Sequence, residues 1–267
     1  MIGAIVGDII GSRFEWHNHC SKNFDLFNHR CRFTDDSVLT LALCQALLLH
    51  KSTGQNLSEL AINCMQTVGN RHPRSGFGKR FAKWLKSNHP QPYNSFGNGA
   101  AMRVSGCGYV TNDIEEARSL AKTVTAVTHD HPEGIKGAVA TVDAIFMAKN
   151  GESLETIRNH IHNNYYLLDF TLDEIRFHYT YQISCQKTVP QAIEAFLESK
   201  NFEDAIRNAI SIGGDSDTIG AITGSIAEAY YGVPQIIRDQ AMSYLDKDLT
   251  DILKDFEAKY PAPQCHN

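Results

Sequence analysis

Apolar residues recur along most of the chain at spacings of three and four, the period of an amphipathic helix. Polar residues suited to helix starts precede many of these stretches. Together they predict twelve helical segments. These are Ser37–Lys51, Ser58–Val68, Gly76–Lys86, Asp113–Val127, Pro132–Lys149, 153–163, 171–181, 189–199, 202–211, 217–231, 234–245 and 247–259.

Strand patterns are scarce. The clearest short β-like piece is 209–212 (Ala-Ile-Ser-Ile), and the end of a helix explains it equally well. Glycine and proline separate the helical segments without forming a linker, and no repeat of 20–50 residues is visible. The sequence therefore predicts an all-α fold in which residues 1–267 form one domain of about a dozen helices.

Composition narrows the class of protein without changing the predicted fold. The chain has 267 residues, a net charge of −5 and 42% hydrophobic residues, which is typical of a globular protein and not of a dedicated nucleic-acid binder. Its start lacks the basic region of a secretory signal, and the apolar stretch 38–49 is too short to span a bilayer. Seven cysteines without framework spacing indicate reduced thiols. We expect a cytoplasmic protein with no membrane partner.

The densest group of polar residues is the segment 213–220, Gly-Gly-Asp-Ser-Asp-Thr-Ile-Gly, in front of an apolar helix. Carboxylates two residues apart repel each other, so a partly buried site needs a cation or a shared proton between them. Hard divalent cations such as Mg²⁺ bind this set of oxygen ligands. The alternative is a cluster that caps the helix, but a cap needs one such residue rather than three. Asp215, Asp217 and Thr218 are therefore candidate metal ligands.

The segment Thr34-Asp35-Asp36 repeats this composition at a second helix start. Taken alone it is more typical of a helix cap than of a ligand set. Taken with Asp215, Asp217 and Thr218 it offers six oxygen ligands from two helix N-termini. If the two ends converge, two cations about 3.5–4 Å apart become plausible. The ligand types favour Mg²⁺ or Mn²⁺ over Zn²⁺, which prefers histidine and cysteine.

Two further segments carry residues suited to an anionic ligand. In 95–103, Ser-Phe-Gly-Asn-Gly-Ala-Ala-Met-Arg, glycines allow a close backbone approach, and a helix beginning near Ala100 would offer free N–H groups to a phosphate. An ordinary turn explains the glycines equally well. His129 stands just before another predicted helix and could donate to an anion, although a simple loop histidine is the commoner outcome.

The first residues also contain a pattern. Glycines at positions 3, 7 and 11 share one face of a helix, which predicts close helix packing. Glu15 follows these glycines, and two interpretations of it are open: a catalytic acid or base, or a solvated side chain. The residues His17, His19, Cys20, His29 and Cys31 match no zinc pattern and predict a surface loop.

Together and in this order, these motifs resemble the ADP-ribosylglycohydrolase family, which includes the dinitrogenase reductase-activating glycohydrolases. The resemblance runs from Gly7-Asp8 to Tyr231-Gly232. Its most specific elements are Thr34-Asp35-Asp36, the segment 97–103 and the segment 214–220. No single element is decisive, but all three in the correct order in a helical chain of this length are specific.

The resemblance implies a compact α-helical domain with a binuclear Mg²⁺ or Mn²⁺ site between helix N-termini. The implied metal ligands are Thr34, Asp35, Asp36, Asp215, Asp217 and Thr218. The implied binding loop for the diphosphate and distal ribose is Ser95, Phe96, Gly97, Asn98 and Gly99, with His129 as a further contact. Glu15 resembles the acidic residue of the family beside the metals, so the implied catalytic residues are Glu15, Asp35 and Asp217.

The implied reaction is hydrolysis of the ribosyl C1″ bond, which releases ADP-ribose through an oxocarbenium-like state. Expected partners are an ADP-ribosylated protein or a small ADP-ribose conjugate, with arginine as the first choice of acceptor. Serine, O-acetyl-ADP-ribose and a modified nucleotide or nucleic acid remain open.

Two rival functions follow from the same residues. One is a non-catalytic relative, whose expected mark is a lost metal carboxylate; all four aspartates and both threonines are present. The other is an unrelated phosphohydrolase, which would attack phosphorus and release AMP and ribose 5-phosphate.

Overall fold

The computed structural model describes residues 1–263. In that range the chain forms thirteen α-helices and two short 3₁₀ turns, and it contains no β-strand. The helices are α1 (Ile2–Gly11), α2 (Asp35–Thr53), α3 (Leu57–Arg71), α4 (Lys79–Leu85), α5 (Ile114–Ala126), α6 (Pro132–Lys149), α7 (Leu154–Asn164), α8 (Leu172–Ile175), α9 (Cys185–Leu197), α10 (Phe202–Ser211), α11 (Ser216–Tyr231), α12 (Gln235–Met242) and α13 (Lys247–Lys259). The 3₁₀ turns are Asn98–Ala100 and Ser105–Gly108. The predicted all-α fold is confirmed.

Helix order follows the sequence prediction, and α6, α10 and α13 have the predicted bounds. The β-like piece at 209–212 is the end of α10 and the residue after it. Helix α9 begins four residues before its predicted start, at Cys185, with Pro190 inside it. Helix α4 begins later than predicted, at Lys79. The helix starts later because Gly76 has a φ of +102°, which a right-handed helix does not allow.

The prediction of a helix over 171–181 is wrong for most of its length, since only Leu172–Ile175 is helical. Tertiary contacts take the rest of the segment out of the helix. The Tyr179 hydroxyl donates to the carbonyl of Lys187 at 2.6 Å, and the Tyr181 ring stacks on Trp16 with 5.0 Å between centroids. These contacts matter for the site, because they bring Tyr181 to the mouth of the cavity described below.

The glycines of α1 pack against α11, as their spacing predicts. A Cβ placed on Gly220 would lie 2.5 Å from the carbonyl oxygen of Gly7, and one on Gly11 would lie 2.5 Å from the Cα of Asp217. Real side chains do not tolerate such distances, so the two helix backbones meet at a separation that only glycine permits. This packing places the end of α1 directly against the start of α11.

The remaining helices enclose this pair in one continuous apolar core, with α2 packed on α3 and α13, and α11 packed on α6, α9 and α10. The structure has six free cysteine thiols among the described residues, and Cys265 lies outside the described range. None of the helices in residues 1–263 is both long and apolar enough to cross a bilayer.

Candidate active site

Two groups of carboxylates meet where α1, α2 and α11 converge. One oxygen from each of Asp8, Asp36 and Asp217 lies within 4.8 Å of the others, and the same holds for Glu15, Asp215 and Asp217. Asp217 belongs to both groups. The predicted convergence of two helix N-termini therefore brings carboxylates together. Asp8 of α1 and Glu15, in the turn after α1, add two more.

The electrostatics of these carboxylates are those of a crowded, dry site. Burial, and then the neighbouring carboxylates, hold the pKa of Asp36 and of Asp217 well above its ordinary value. Burial also raises the pKa of Asp215, although hydrogen bonds oppose that rise. Burial followed by the charge of Asp215 raises the pKa of Glu15 to about 7. At neutral pH these crowded carboxylates need either bound protons or a cation to offset their mutual repulsion.

A divalent cation fits the donors that are present. Oδ1 of Asp36 is buried and has no hydrogen-bond partner among the described residues, which leaves a free lone pair inside the acidic group. The hydroxyl of Thr218 lies 3.4 Å from the other oxygen of Asp36. Carboxylate and hydroxyl oxygens are the ligands that Mg²⁺ and Mn²⁺ prefer.

Asp8 is the carboxylate of this cluster that the sequence prediction did not select. Its carboxylate is fully buried and accepts hydrogen bonds from the backbone N–H of Thr34 at 2.9 Å and of Ser37 at 3.0 Å, as well as from both hydroxyls. Asp8 thus ties the start of α2 to α1. The available signal was a lone aspartate on an otherwise apolar glycine-containing helix.

The capping alternative holds at one helix start and not at the other. The hydroxyl of Thr34 accepts from the backbone N–H of Asp36 at 3.3 Å, as an N-cap does, and donates to Asp8 at 2.6 Å. Asp215 stands at the N-cap position of α11, but its side chain makes no capping hydrogen bond. Its Oδ2 instead accepts from the side-chain amide of Asn98 at 2.7 Å.

Asp35 lies beside the two groups and is a member of neither. Its backbone N–H donates to the carbonyl of Ser75 at 2.7 Å. Burial and then the charge of Asp8 raise the pKa of its carboxyl to about 7. Asp35 therefore lies in the wall of the adjoining cavity, close enough for the charges of the cluster to raise its pKa.

That cavity has a volume of about 460 Å³ and joins the carboxylates to the glycine-containing loop. It is lined by all the sequence-predicted site residues except Thr34 and Phe96. The lining residues from the prediction are Glu15, Asp35, Asp36, Ser95, Gly97, Asn98, Gly99, His129, Asp215, Asp217 and Thr218. The sequence did not single out Arg80, Tyr93, Arg103, Tyr181 or Ile183, which line it as well.

The loop 95–99 is held against the segment before α9. The N–H of Asn98 donates to the carbonyl of Ile183 at 2.8 Å, and the N–H of Cys185 donates to that of Phe96 at 2.9 Å. Phe96 is 47% exposed, and its ring contacts that of His131 at a tilted angle, with 5.2 Å between centroids. The predicted helix beginning near Ala100 is absent. The 3₁₀ turn Asn98–Ala100 is followed by a turn over 101–103 and by the second 3₁₀ turn, Ser105–Gly108.

His129 is buried in the cavity wall directly against this loop. Its Nε2 lies 3.6 Å from the position a Cβ would take on either Gly97 or Gly99. Burial and then the charge of Arg103 and of Arg80 hold the pKa of the imidazole well below its ordinary value, so the ring is neutral. Arg103 itself is only 1% exposed, and its Nε and Nη1 have no partner among residues 1–263.

Exposed aromatic residues stand at the cavity mouth, next to Glu15. Trp16 is 67% exposed and stacks on Tyr181, which lines the cavity. The segment that follows is the predicted surface loop, and within residues 1–263 its histidines and cysteines form no metal-binding group. It is nevertheless anchored to the site, because the side chain of Asn18 accepts from the N–H of Gly214 at 3.0 Å.

Comparison with known proteins places this geometry in a family. The sequence profile of ADP-ribosylglycohydrolase matches residues 1–264. ADP-ribosylhydrolase ARH3 of Xenopus tropicalis is 26% identical, covering 88% of this chain and 87% of that protein. ARH3 of Homo sapiens is 25% identical, covering 95% and 90%. ADP-ribosyl-[dinitrogen reductase] glycohydrolase of Rhodospirillum rubrum is 23% identical, covering 88% and 85%.

A solved structure shares the fold. The chain of an ADP-ribosylglycohydrolase-related protein complex superposes with a TM-score of 0.67, covering 96% of this chain and 95% of its own. The two sequences are 22% identical, so the likeness is one of fold.

Proposed function

Because this chain belongs to the ADP-ribosylglycohydrolase family, we propose that it hydrolyses the C1″ bond between ADP-ribose and an acceptor, and that the acceptor is an arginine side chain. The observation that carries the proposal is the single cavity. It has five carboxylates at one end and the loop 95–99 with His129 at the other. The carboxylates are those of Glu15, Asp35, Asp36, Asp215 and Asp217. An ADP-ribosyl group has matching parts, a ribose with vicinal hydroxyls and a diphosphate.

The diphosphate belongs at the loop end. Glycines 97 and 99 let the backbone approach a ligand closely, and neutral His129 faces the same space with Nε2. Behind them, Arg103 contributes a buried positive charge, since burial lowers the pKa of its guanidinium only to about 10. The net charge of −5 is therefore no obstacle to an anionic substrate, because the binding groups are local.

The ribose that is released belongs at the acidic end. Asp8, Asp36, Asp215, Asp217 and Glu15, with the hydroxyl of Thr218, would hold Mg²⁺ or Mn²⁺ there. Such cations supply charge that fixes ribose hydroxyls and lowers the pKa of water. We propose that Asp35 completes the set from the cavity wall and that Thr34 acts through Asp8, to which it donates.

Glu15 is the residue best placed to move a proton. It is half-buried at the edge of the carboxylate cluster, and burial with the charge of Asp215 raises its pKa to about 7. A carboxyl with a pKa near neutrality can both hold and release a proton during turnover. We propose that Glu15 exchanges a proton with the attacking water or with the leaving nitrogen.

The cavity mouth, where the acceptor would lie, is anionic and aromatic, which fits a guanidinium. Trp16 and Tyr181 stack at the mouth directly beside Glu15. Aromatic faces attract planar cations, and the carboxylate adds a charge partner. These contacts support arginine over a neutral serine or acetyl linkage.

The proposal is tested by identifying products from matched substrates. Proteins ADP-ribosylated on arginine and on serine are incubated with the enzyme and divalent cation, and the nucleotides are separated by chromatography. We expect free ADP-ribose, released faster from arginine. Faster release from serine would overturn the acceptor assignment. Release of AMP, with ribose 5-phosphate left attached to the protein, would indicate a phosphohydrolase. Binding of ADP-ribose without any release would indicate a non-catalytic relative.

The aromatic pair has its own control. Replacing Trp16 by alanine should lower kcat/KM on the arginine-linked substrate about fivefold or more, the size of a lost cation–π contact. Phe177 is an exposed aromatic residue that does not line the cavity, being 74% exposed, so Phe177→Ala should leave kcat/KM unchanged. The free thiols of the described cysteines agree with a cytoplasmic setting, which we include in the proposal.

A further inference from the structure

The imidazole of His129 meets two polar groups on its buried side. Nη2 of Arg103 lies 3.3 Å from Nδ1 of His129 and donates to the hydroxyl of Thr128 at 2.6 Å. The Thr128 hydroxyl lies 2.7 Å from the same Nδ1. Nδ1 therefore has two polar neighbours, while Nε2 lies on the cavity side of the ring, near Gly97 and Gly99.

The chemistry of these partners decides which nitrogen carries the proton. A threonine hydroxyl can donate or accept, so Thr128 alone is compatible with either tautomer. A guanidinium has five N–H donors and no acceptor, so a protonated Nδ1 would face a donor. Nδ1 must therefore accept, and the single ring proton of neutral His129 resides on Nε2.

The hydroxyl proton of Thr128 agrees with this assignment. Its oxygen accepts from Arg103, and its alternative acceptor, the carbonyl of Thr125, lies at 3.5 Å, the outer limit of a hydrogen bond. Nδ1 of His129 at 2.7 Å is the better acceptor.

We propose that Arg103 is a positioning residue that fixes His129 as the Nε2–H tautomer, so that the cavity wall beside the loop 95–99 always presents a hydrogen-bond donor. The groups that face the ring are Arg103 from the segment after the loop, Arg80 from α4 and Tyr93 from the chain before the loop. The two arginines oppose a second ring proton, and only Arg103 contacts Nδ1. Arg80 is engaged elsewhere, since its guanidinium donates to the carbonyl of Tyr93.

The consequence for the ligand rests on the proposed function. A phosphate oxygen is an acceptor only, and it binds a neutral Nε2–H but is repelled by the lone pair of an unprotonated Nε2. Arg103 thus acts on the substrate through His129, without being a catalytic residue. If Arg103 were lost, Nδ1–H could donate to Thr128, and Nε2 would become an acceptor that faces the diphosphate.

The direct test is the tautomer itself, measured in the ligand-free protein by long-range ¹H–¹⁵N correlation of the histidine rings. His129 is assigned from the spectrum of His129→Gln. The wild-type protein should show a neutral Nε2–H ring from pH 5 to pH 8 (about the range accessible to a histidine of ordinary pKa). Arg103→Met should show Nδ1–H, a mixture of tautomers or a ring that titrates in this range.

Matched variants separate tautomer control from charge and from folding. Arg80→Met removes a positive charge from the same cavity without a contact to Nδ1, so the Nε2–H ring should persist. Thr128→Val keeps Arg103, so Nε2–H should persist there too, and this variant decides the matter if Arg103→Met does not fold. An Nδ1–H ring in the wild type, an unchanged ring in Arg103→Met, or a switched ring in Thr128→Val would each overturn the proposal.

Binding of free ADP-ribose, measured by calorimetry, tests the consequence. Arg103→Met should weaken it about tenfold, the worth of one hydrogen bond to a charged group. In His129→Gln, whose amide donates independently of tautomer, the same substitution should have a smaller effect. Equal effects in both backgrounds would contradict the route through His129. Failure of the wild type to bind ADP-ribose would count against the proposed function and leave the tautomer result standing.

Discussion

The side-chain amide of Asn98 donates to Oδ2 of Asp215 across a distance of 2.7 Å. This hydrogen bond joins the two ends of the cavity, because Asn98 belongs to the loop and Asp215 to the carboxylate cluster. Both residues are buried, at 7% and 5% exposure, so the contact is little screened by solvent. In the proposed function, this contact would couple the position of a bound diphosphate to that of the cations.

Replacing Asn98 by alanine should therefore damage both ends of the site. The loss leaves a buried carboxylate oxygen of Asp215 without its donor, which costs about 1–3 kcal/mol. We expect kcat/KM to fall about tenfold to a hundredfold, with weaker cation binding in calorimetry. Thr188 accepts from the same amide at 3.3 Å. Thr188→Val is the control and should cost less than a quarter of that free energy; equal losses would contradict a specific role for the Asp215 contact.

Asp217 is the only carboxylate shared by both acidic groups. Asp217→Asn should lower activity by more than about 100-fold and remove most cation binding, because both groups lose a ligand. Asp35→Asn should also abolish activity if Asp35 completes the ligand set. The helical content should stay unchanged in circular dichroism. Asp173→Asn, on the surface, is the control. Near-normal turnover of Asp217→Asn with full cation occupancy would show that the ligand assignment is wrong.

The carboxylate cluster should make metal-free stability depend on pH in an unusual direction. The pKa of Asp35 is raised to about 7, and those of Asp36 and Asp217 are raised well above 3.8. A carboxyl with a raised folded pKa stabilises the folded state at low pH and loses that contribution as pH rises through the folded value. Between about pH 4 and pH 7 the cluster should therefore progressively destabilise the metal-free protein.

Cation binding should cancel this loss, because it replaces the protons. The Tm with saturating Mg²⁺ minus the Tm in EDTA should grow with pH over the same interval, by about 5 °C or more. In Asp217→Asn the difference should be small at every pH. A difference that is constant with pH in the wild type would contradict the crowded-carboxylate account.

The contact between α1 and α11 should be intolerant of side chains. Gly7→Ala places a methyl group against the backbone of Gly220, so the helices must separate. We expect a loss of about 2–3 kcal/mol in the free energy of unfolding in urea. Gly78 has nothing within 4 Å of an added Cβ and no positive φ, so Gly78→Ala is the matched control. A loss below about 0.5 kcal/mol in Gly7→Ala would contradict the close packing.

Helices that begin with a strong local signal were predictable from the sequence. Pro132 at the start of α6 and Asp246 before α13 set those bounds locally, and the structure has them where predicted. The glycines of α1 were equally informative. Glycines spaced four residues apart lie on one face of a helix, and this pattern has few explanations other than close helix packing. The segment 171–181 failed because its aromatic residues find tertiary partners, and such partners are not visible in a local pattern.

The candidate site was predictable where the polar residues are adjacent in sequence. Asp215 and Asp217 stand together, and so do Asp35 and Asp36, and the structure brings the two pairs to one place. The sequence did not identify Asp8 or Arg103 as site residues, for a physical reason. Each is a polar residue at the edge of a quoted motif, and its significance comes from a partner 26 residues away in the chain. That partner is Thr34 for Asp8 and His129 for Arg103.

The central claim is that the carboxylate cluster holds divalent cations without which ADP-ribose is not released. The most direct measurement is the rate of free ADP-ribose release from arginine-linked ADP-ribosyl protein, first with Mg²⁺ or Mn²⁺, then after EDTA and then after the cation is restored. We predict release, loss of release and recovery in the wild type, and no release at any stage in Asp217→Asn. Undiminished release in EDTA from protein shown to be free of metal would contradict the claim.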